Sequence, residues 1–114
     1  MAQYANIIID QGSSFARKIT VRAKGGTAFD LTNYTARGQL RKSYTSLTAV
    51  TFTSTITNSV GGEITISLTT PQTTAIKAGR YVYDVEIVPN GSPEDGVIRV
   101  IEGQVTVTPR ATQI

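Results

Sequence analysis

Residues 79–88 read Gly79-Arg80-Tyr81-Val82-Tyr83-Asp84-Val85-Glu86-Ile87-Val88. Tyr81, Tyr83, Val85 and Ile87 occupy one phase of a two-residue period, and Val82, Asp84, Glu86 and Val88 occupy the other. Side chains alternate across a strand, so Tyr81 to Val88 predicts a strand with one face against a core and part of the other covered. Such a strand is central and needs neighbours on both sides. The flanking sequence is therefore read for further strands.

Just upstream, Thr70-Pro71 is a helix-start signal, with Thr at the cap, Pro at the first helical position and Gly79 as the stop. It predicts a short helical turn from Pro71 to about Lys77, crossing between two sheets. Before it, Val50, Phe52 and Ile56 alternate with Thr51, Thr53, Thr55 and Thr57. Asn58-Ser59-Val60-Gly61-Gly62 then turns the chain into Glu63 to Thr69, with Ile64, Ile66 and Leu68 inward, and the pair reads as a hairpin. Tyr34 to Lys42 places Tyr34, Ala36 and Leu40 against Thr35, Arg37, Gln39 and Arg41. Gly38 falls on the inner set, where a missing side chain makes room for an aromatic ring or marks a bulge. Phe15 to Lys24 sets Phe15, Ile19, Val21 and Ala23 against Lys18, Thr20, Arg22 and Lys24, and Gly25-Gly26 breaks it. Tyr4 to Asp10 is a short first strand closed by Gln11-Gly12-Ser13-Ser14. Downstream, Pro89 to Gly96 is a long polar turn. The last strand, Val97 to Thr108, has apolar residues on both phases around Gly103, which predicts a bulge there. Arg110 to Ile114 is expected to fray or to meet a neighbour.

The 114 residues suffice for one core but not two, so residues 1–114 are read as a single domain. About seven to eight short strands at even intervals predict an all-β, antiparallel sandwich. Cysteine and histidine are both absent, which excludes disulfides, thiolate metal sites and the usual nucleophile–base pairs. No apolar run is long enough to cross a bilayer, and Met1-Ala2-Gln3-Tyr4 lacks the regions of a secretion signal. The chain is expected to be soluble, with no membrane partner. Of the net charge of +3, the basic share falls early: Arg17, Lys18, Arg22, Lys24, Arg37, Arg41 and Lys42 face only Asp10 and Asp30 before residue 58. That asymmetry suits an acidic partner, with Arg37, Arg41 and Lys42 as a possible interface, or else marks solvated outer faces. Nucleic acid is not expected, because the basic residues are not interleaved with exposed aromatics and no Gly-rich phosphate loop occurs.

The order Ile76-Lys77-Ala78-Gly79-Arg80-Tyr81-Val82-Tyr83 resembles the helical turn and following strand of immunoglobulin-like domains. There a tyrosine corner packs its ring in the core and bonds its hydroxyl to backbone a few residues upstream. Tyr81 is the candidate. Tyr83 occupies the place of the second disulfide cysteine of antibody-type domains, so its packing against Ile19 or Val21 is expected to replace the covalent link. More broadly, the chain resembles the immunoglobulin-like domains of tailed-bacteriophage structural proteins, such as the amino-terminal domain of upper baseplate proteins and modules of tail fibres. The resemblance rests on Gly12-Ser13-Ser14-Phe15, Asp30-Leu31-Thr32-Asn33-Tyr34-Thr35-Ala36-Arg37 with Gln39-Leu40-Arg41, Gly62-Glu63-Ile64-Thr65-Ile66, Gly79 to Glu86, and Val100-Ile101-Glu102-Gly103-Gln104-Val105. Asn33 stands where that family more often has glycine, and it can still adopt a left-handed turn.

Few residues invite chemistry. Lys42-Ser43 would serve as a dyad only with a buried, neutral lysine. Asp84 and Glu86 share a strand face, as a carboxylate pair or as a salt-bridged surface. Glu94-Asp95 beside Asn90 and Gly91 offers weak calcium chemistry without a regular ligand pattern, and no metal or cofactor is expected. Asn33-Tyr34-Thr35 and Asn90-Gly91-Ser92 match a glycosylation pattern that matters only on a eukaryotic secretory route. The resemblance implies a non-enzymatic structural protein of the phage virion, in tail, baseplate, fibre or capsid surface. Its partners would be other virion proteins, met as a homo-oligomer or in repeated copies, with no small-molecule substrate. The alternative is a carbohydrate- or host-receptor-binding sandwich, which exposed loop aromatics would favour, with Tyr44 and Tyr4 as the candidates.

Overall fold

The computed structural model describes residues 3–23, 25–91 and 96–110. Nine strands and one short helix follow in order: β1 (Gln3–Tyr4), β2 (Ile7–Asp10), β3 (Phe15–Thr20), β4 (Tyr34–Arg41), β5 (Val50–Thr51), β6 (Thr53–Asn58), β7 (Glu63–Leu68), α1 (Thr70–Thr74), β8 (Gly79–Pro89) and β9 (Ile98–Thr108). One sheet runs β1-β9-β8-β4-β5 with β2 also on β9, and the other runs β3-β7-β6. The fold is an all-β sandwich. With β1 and β2 taken as one broken first strand and β5 as an added edge, the order is that of the immunoglobulin-like sandwich: second, fifth and fourth strands against third, sixth and seventh.

Ile9, Ile64, Ile66, Val85, Ile87 and Val105 are sealed from solvent between the sheets. Each such aliphatic side chain contributes about 1.5–3 kcal/mol relative to exposure. The alternation read from the sequence accounts for Ile64, Ile66, Val85 and Ile87 among these. It does not account for partner direction: β1 and β2 pair parallel to β9, so the sheet is mixed rather than wholly antiparallel. Parallel neighbours need a long connection, and here nearly the whole chain supplies it.

Several boundaries also move. The first strand breaks at Ala5-Asn6, where Ala5 N–H donates to Glu102 O at 2.9 Å and Gln104 N–H donates to Asn6 Oδ1 at 3.1 Å. A β-carbon on Gly103 would lie 2.1 Å from Ala5 O, so this glycine permits the close crossing and pairs regularly with Tyr83. The expected bulge lies instead at Val100, where pairing jumps from Val85↔Ile101 to Glu86↔Arg99 and leaves Val100 and Ile101 both buried. The run from Val50 to Thr57 is likewise two strands. Phe52, 3% exposed, marks the step from one sheet to the other, and its N–H donates to Gly38 O at 2.9 Å. Gly38 leaves room chiefly for the neighbouring strand: an added β-carbon would sit 2.9 Å from Asp84 O and 3.0 Å from Val85 Cγ2, and only in ordinary contact, 3.4 Å, with Phe52 Cδ2. β3 stops at Thr20, and the expected continuation is reduced to an Arg22↔Ala28 bridge, while Lys24 lies outside the described residues. The helix cap is Thr69 rather than Thr70. Its hydroxyl accepts from Gln72 N–H and the Gln72 side chain answers to Thr69 N–H, a reciprocal box that sets the start one residue earlier. The helix ends with Thr74 because Ala75 is its cap, so Gly79 opens β8 instead of stopping a helix.

Candidate functional site

The outward residues of the larger sheet meet in register rows. Tyr4, Glu102, Asp84, Gln39 and Thr51 lie abreast across five strands, and Arg99, Glu86 and Arg37 form the next row. A cleft of about 660 Å³ opens on this face, lined chiefly by Arg37, Gln39, Arg41, Tyr44, Asp84 and Glu86. Its charges are mutually engaged. Arg37 Nε donates to Glu86 Oε1 at 2.6 Å, and Arg99 bridges Asp84 at 3.4 Å and Glu102 at 3.4 Å. Arg41 donates to Ser46 O at 2.6 Å and to Gln39 Oε1 at 3.0 Å, which pins the β4–β5 loop. Burial pushes the Asp84 carboxyl above its ordinary value, against the opposing pull of Arg99. Asp84 and Glu86 are thus each held by an arginine, the salt-bridged reading of that pair.

Arg37, Arg41 and Lys42 do not form one free basic patch. Arg37 and Arg41 line the cleft, Arg37 bonded through Nε to Glu86 and Arg41 to Ser46 O and Gln39, whereas the Lys42 ammonium lies over the Tyr81 ring, 4.9 Å from its centre. The early bases and late acids of the sequence meet across neighbouring strands, as Arg37–Glu86 and Lys18–Glu63 show. The uneven charge along the chain is thus offset in space at two of the early bases, Lys18 and Arg37.

At the other face of β8, the Tyr81 hydroxyl donates to Lys77 O at 2.7 Å, which is the geometry of a tyrosine corner. The Tyr81 ring is only half-buried. Tyr83 is the deeper of the two at 2% exposure, and its hydroxyl donates to Ala5 O at 2.7 Å. Its aromatic neighbour is Phe52, edge-on at 6.3 Å, and Phe15 continues that cluster at 6.2 Å from Phe52. This aromatic chain runs from β3 to β8, whereas the Ile19 and Val21 named for Tyr83 are placed with it only as members of the same core. Burial also raises the Tyr83 phenol above its ordinary value, which keeps the hydroxyl a donor.

Sequence reasoning missed Thr73. It is fully buried, accepts from Gly12 N–H at 3.2 Å and donates to Ser13 O at 2.8 Å, while the Gln11 amide donates to Ile76 O at 2.8 Å. These bonds lock the α1–β8 corner to the β2–β3 loop. Nothing in Gln72-Thr73-Thr74 distinguishes the buried threonine from its exposed neighbour. Asn33 does sit at φ 69°, in the left-handed turn that opens β4.

The remaining chemistry is dispersed. Ser43 Oγ lies 3.4 Å from Thr45 Oγ1 while Lys42 is engaged with Tyr81. Glu94 and Asp95 lie outside the described residues, as does Ser92 of the second glycosylation pattern. Among the described residues no three acidic side chains gather as a metal site, and no helix is long and apolar enough to cross a membrane.

No family model and no curated protein matches the chain. Among solved structures it is similar to a family 123 glycoside hydrolase from Clostridium perfringens, described for glycolipid glycan hydrolysis, at 12% identity and a TM-score of 0.43. The match covers 97% of this chain and 24% of that one, so the chain spans about a quarter of the enzyme. A likeness at this level carries no argument about activity.

Proposed function

We propose that the chain is a non-enzymatic structural module of a bacteriophage particle, assembling there with other virion proteins. One observation carries the reading: four of the five segments on which the phage resemblance rests fall at turns or strand starts of the sandwich. Gly12-Ser13-Ser14 leads into β3, Asp30 to Asn33 turns into β4, Gly62 precedes β7, and Gly79 to Glu86 forms the corner and central strand. The polar groups of the broad outer face hold its own strands together, which suits a load-bearing module. Quantitative mass spectrometry of density-purified particles tests it. The chain is expected at fixed stoichiometry with the known virion proteins, and its loss on purification contradicts the proposal.

A second reading, a glycan-binding sandwich, is favoured by one feature: Tyr44, 65% exposed, stands at the outer-face cleft. Titration with maltotetraose, cellotetraose and chitotetraose, followed by amide NMR shifts, separates the two. Shifts confined to the cleft and abolished by Tyr44→Ala would establish the second reading.

A further inference from the structure

The chain has four asparagines, Asn6, Asn33, Asn58 and Asn90, and the fold treats them differently. An asparagine loses its side-chain amide when the backbone nitrogen of the next residue attacks Cγ, so the reaction depends on how closely that nitrogen can approach. A side chain on the next residue crowds the approach. A hydrogen bond that fixes either group holds the two apart. Asn6 Oδ1 accepts from Gln104 N–H at 3.1 Å, and Ile7 follows it. Asn58 Oδ1 accepts from Gly61 N–H at 3.0 Å, and Ser59 follows it. Asn33 precedes Tyr34, whose N–H is committed to Leu31 O at 3.0 Å.

Asn90 differs on each count. Glycine follows it, at φ 89°, so no β-carbon stands beside the attacking nitrogen. Both residues are exposed, just past Tyr34↔Pro89, the last pair of the β4–β8 ladder. Among the described residues neither the Asn90 side chain nor the Gly91 N–H has a hydrogen-bond partner. We propose that Asn90 deamidates spontaneously in the folded protein, with water as the only co-reactant. Hydroxide takes the proton of the Gly91 N–H, and the freed nitrogen bonds to Asn90 Cγ. The Cγ–Nδ2 bond breaks, and ammonia leaves with a proton drawn from water. The five-membered succinimide that remains is opened by water. Attack at Cγ gives aspartate, and attack at the Asn90 main-chain carbonyl carbon gives isoaspartate, in which the chain runs through Cγ. Either product adds a carboxylate and takes one unit from the net charge of +3. The Asn90 N–H donates to Asn33 O at 2.8 Å, and the change begins beyond that bond, outside the ladder. The reaction is a property of this turn alone, so it stands or falls separately from the particle reading.

The test ages the full chain in warm, mildly alkaline buffer and follows it by cation-exchange chromatography and peptide mass mapping. A more acidic species is expected to accumulate with time, carrying the charge of Asn90→Asp. Its Asn90 peptide should be heavier by about one dalton, the exchange of NH for O, and should accept methyl groups from an isoaspartyl methyltransferase. Asn90 should convert at least about tenfold faster than Asn6, Asn33 or Asn58, and faster as pH rises, because the attacking nitrogen must lose its proton. Asn90→Gln, which would have to close a larger ring, should suppress the acidic species. The peptide map of the natural chain decides the matter if that variant does not fold. Conversion of another asparagine at an equal rate, conversion of Asn90 only after unfolding in urea, or an acidic species undiminished in Asn90→Gln would overturn the proposal.

Discussion

Tyr81 and Tyr83 lie two residues apart on one strand, yet their hydroxyls meet different needs. The Tyr81 hydroxyl closes a local loop onto Lys77 O at a half-exposed position, so Tyr81→Phe should cost on the order of 1 kcal/mol in denaturant unfolding. The Tyr83 hydroxyl reaches across the fold to Ala5 O, and its loss leaves a carbonyl unpaired beside the core. Tyr83→Phe should therefore cost about 1–3 kcal/mol, more than Tyr81→Phe. The reverse order would mean that the corner, not the bridge to the first strand, fastens β8. Asp84 gives a pH signature. Its folded carboxyl is raised by burial, so between its unfolded and folded values the native state holds the proton longer. Its contribution to stability falls as pH rises through that window, and Asp84→Asn should remove that part of the slope. Asp30 has the opposite sign: hydrogen bonds from Thr32 lower its value, so its contribution is present above the unfolded value and is lost as acid protonates it. The tyrosine pair was legible because an aromatic after a glycine turn has few uses. Thr73 was not, because burial of a small hydroxyl leaves no mark in a polar run.

At the scale of elements, period-two alternation gave nearly every core residue of β4, β7 and β8, since each has one face against the opposite sheet. What alternation cannot carry is the identity and direction of the neighbour. The parallel pairing of β2 with β9 and the change of sheet at Phe52 depend on contacts distant in sequence. Gly38 shows the reach of a local reading: an inward glycine on a strand points to a bulge or a large partner, whereas the close neighbours here are Asp84 O and the Val85 side chain, with the Phe52 ring in ordinary contact beyond them. Phe52→Ala should cost about 3–5 kcal/mol by leaving a hole where the sheets exchange a strand. Gly38→Ala, pressing on Asp84 O and the Val85 side chain, should cost about 1–3 kcal/mol. Chemical denaturation of both variants checks the pair, and a neutral Gly38→Ala would show that the ring and strand can shift at little cost.

For the whole molecule, a charge asymmetry read along the chain is redistributed in space, because strands distant in sequence become neighbours. On the broad sheet early Arg37 pairs with late Glu86, while Arg99 holds Asp84 and Glu102 within the later half of the chain, so three carboxylates of the outer face have arginine partners. The proposed role draws on the phage resemblance and on a small sandwich whose broad polar face is cross-linked by its own ion pairs. Cryo-electron microscopy of the intact particle tests that claim most directly. The account predicts density for this two-sheet sandwich at repeated, symmetry-related positions in tail, baseplate, fibre or capsid surface; a complete reconstruction with no density that fits the sandwich would contradict it.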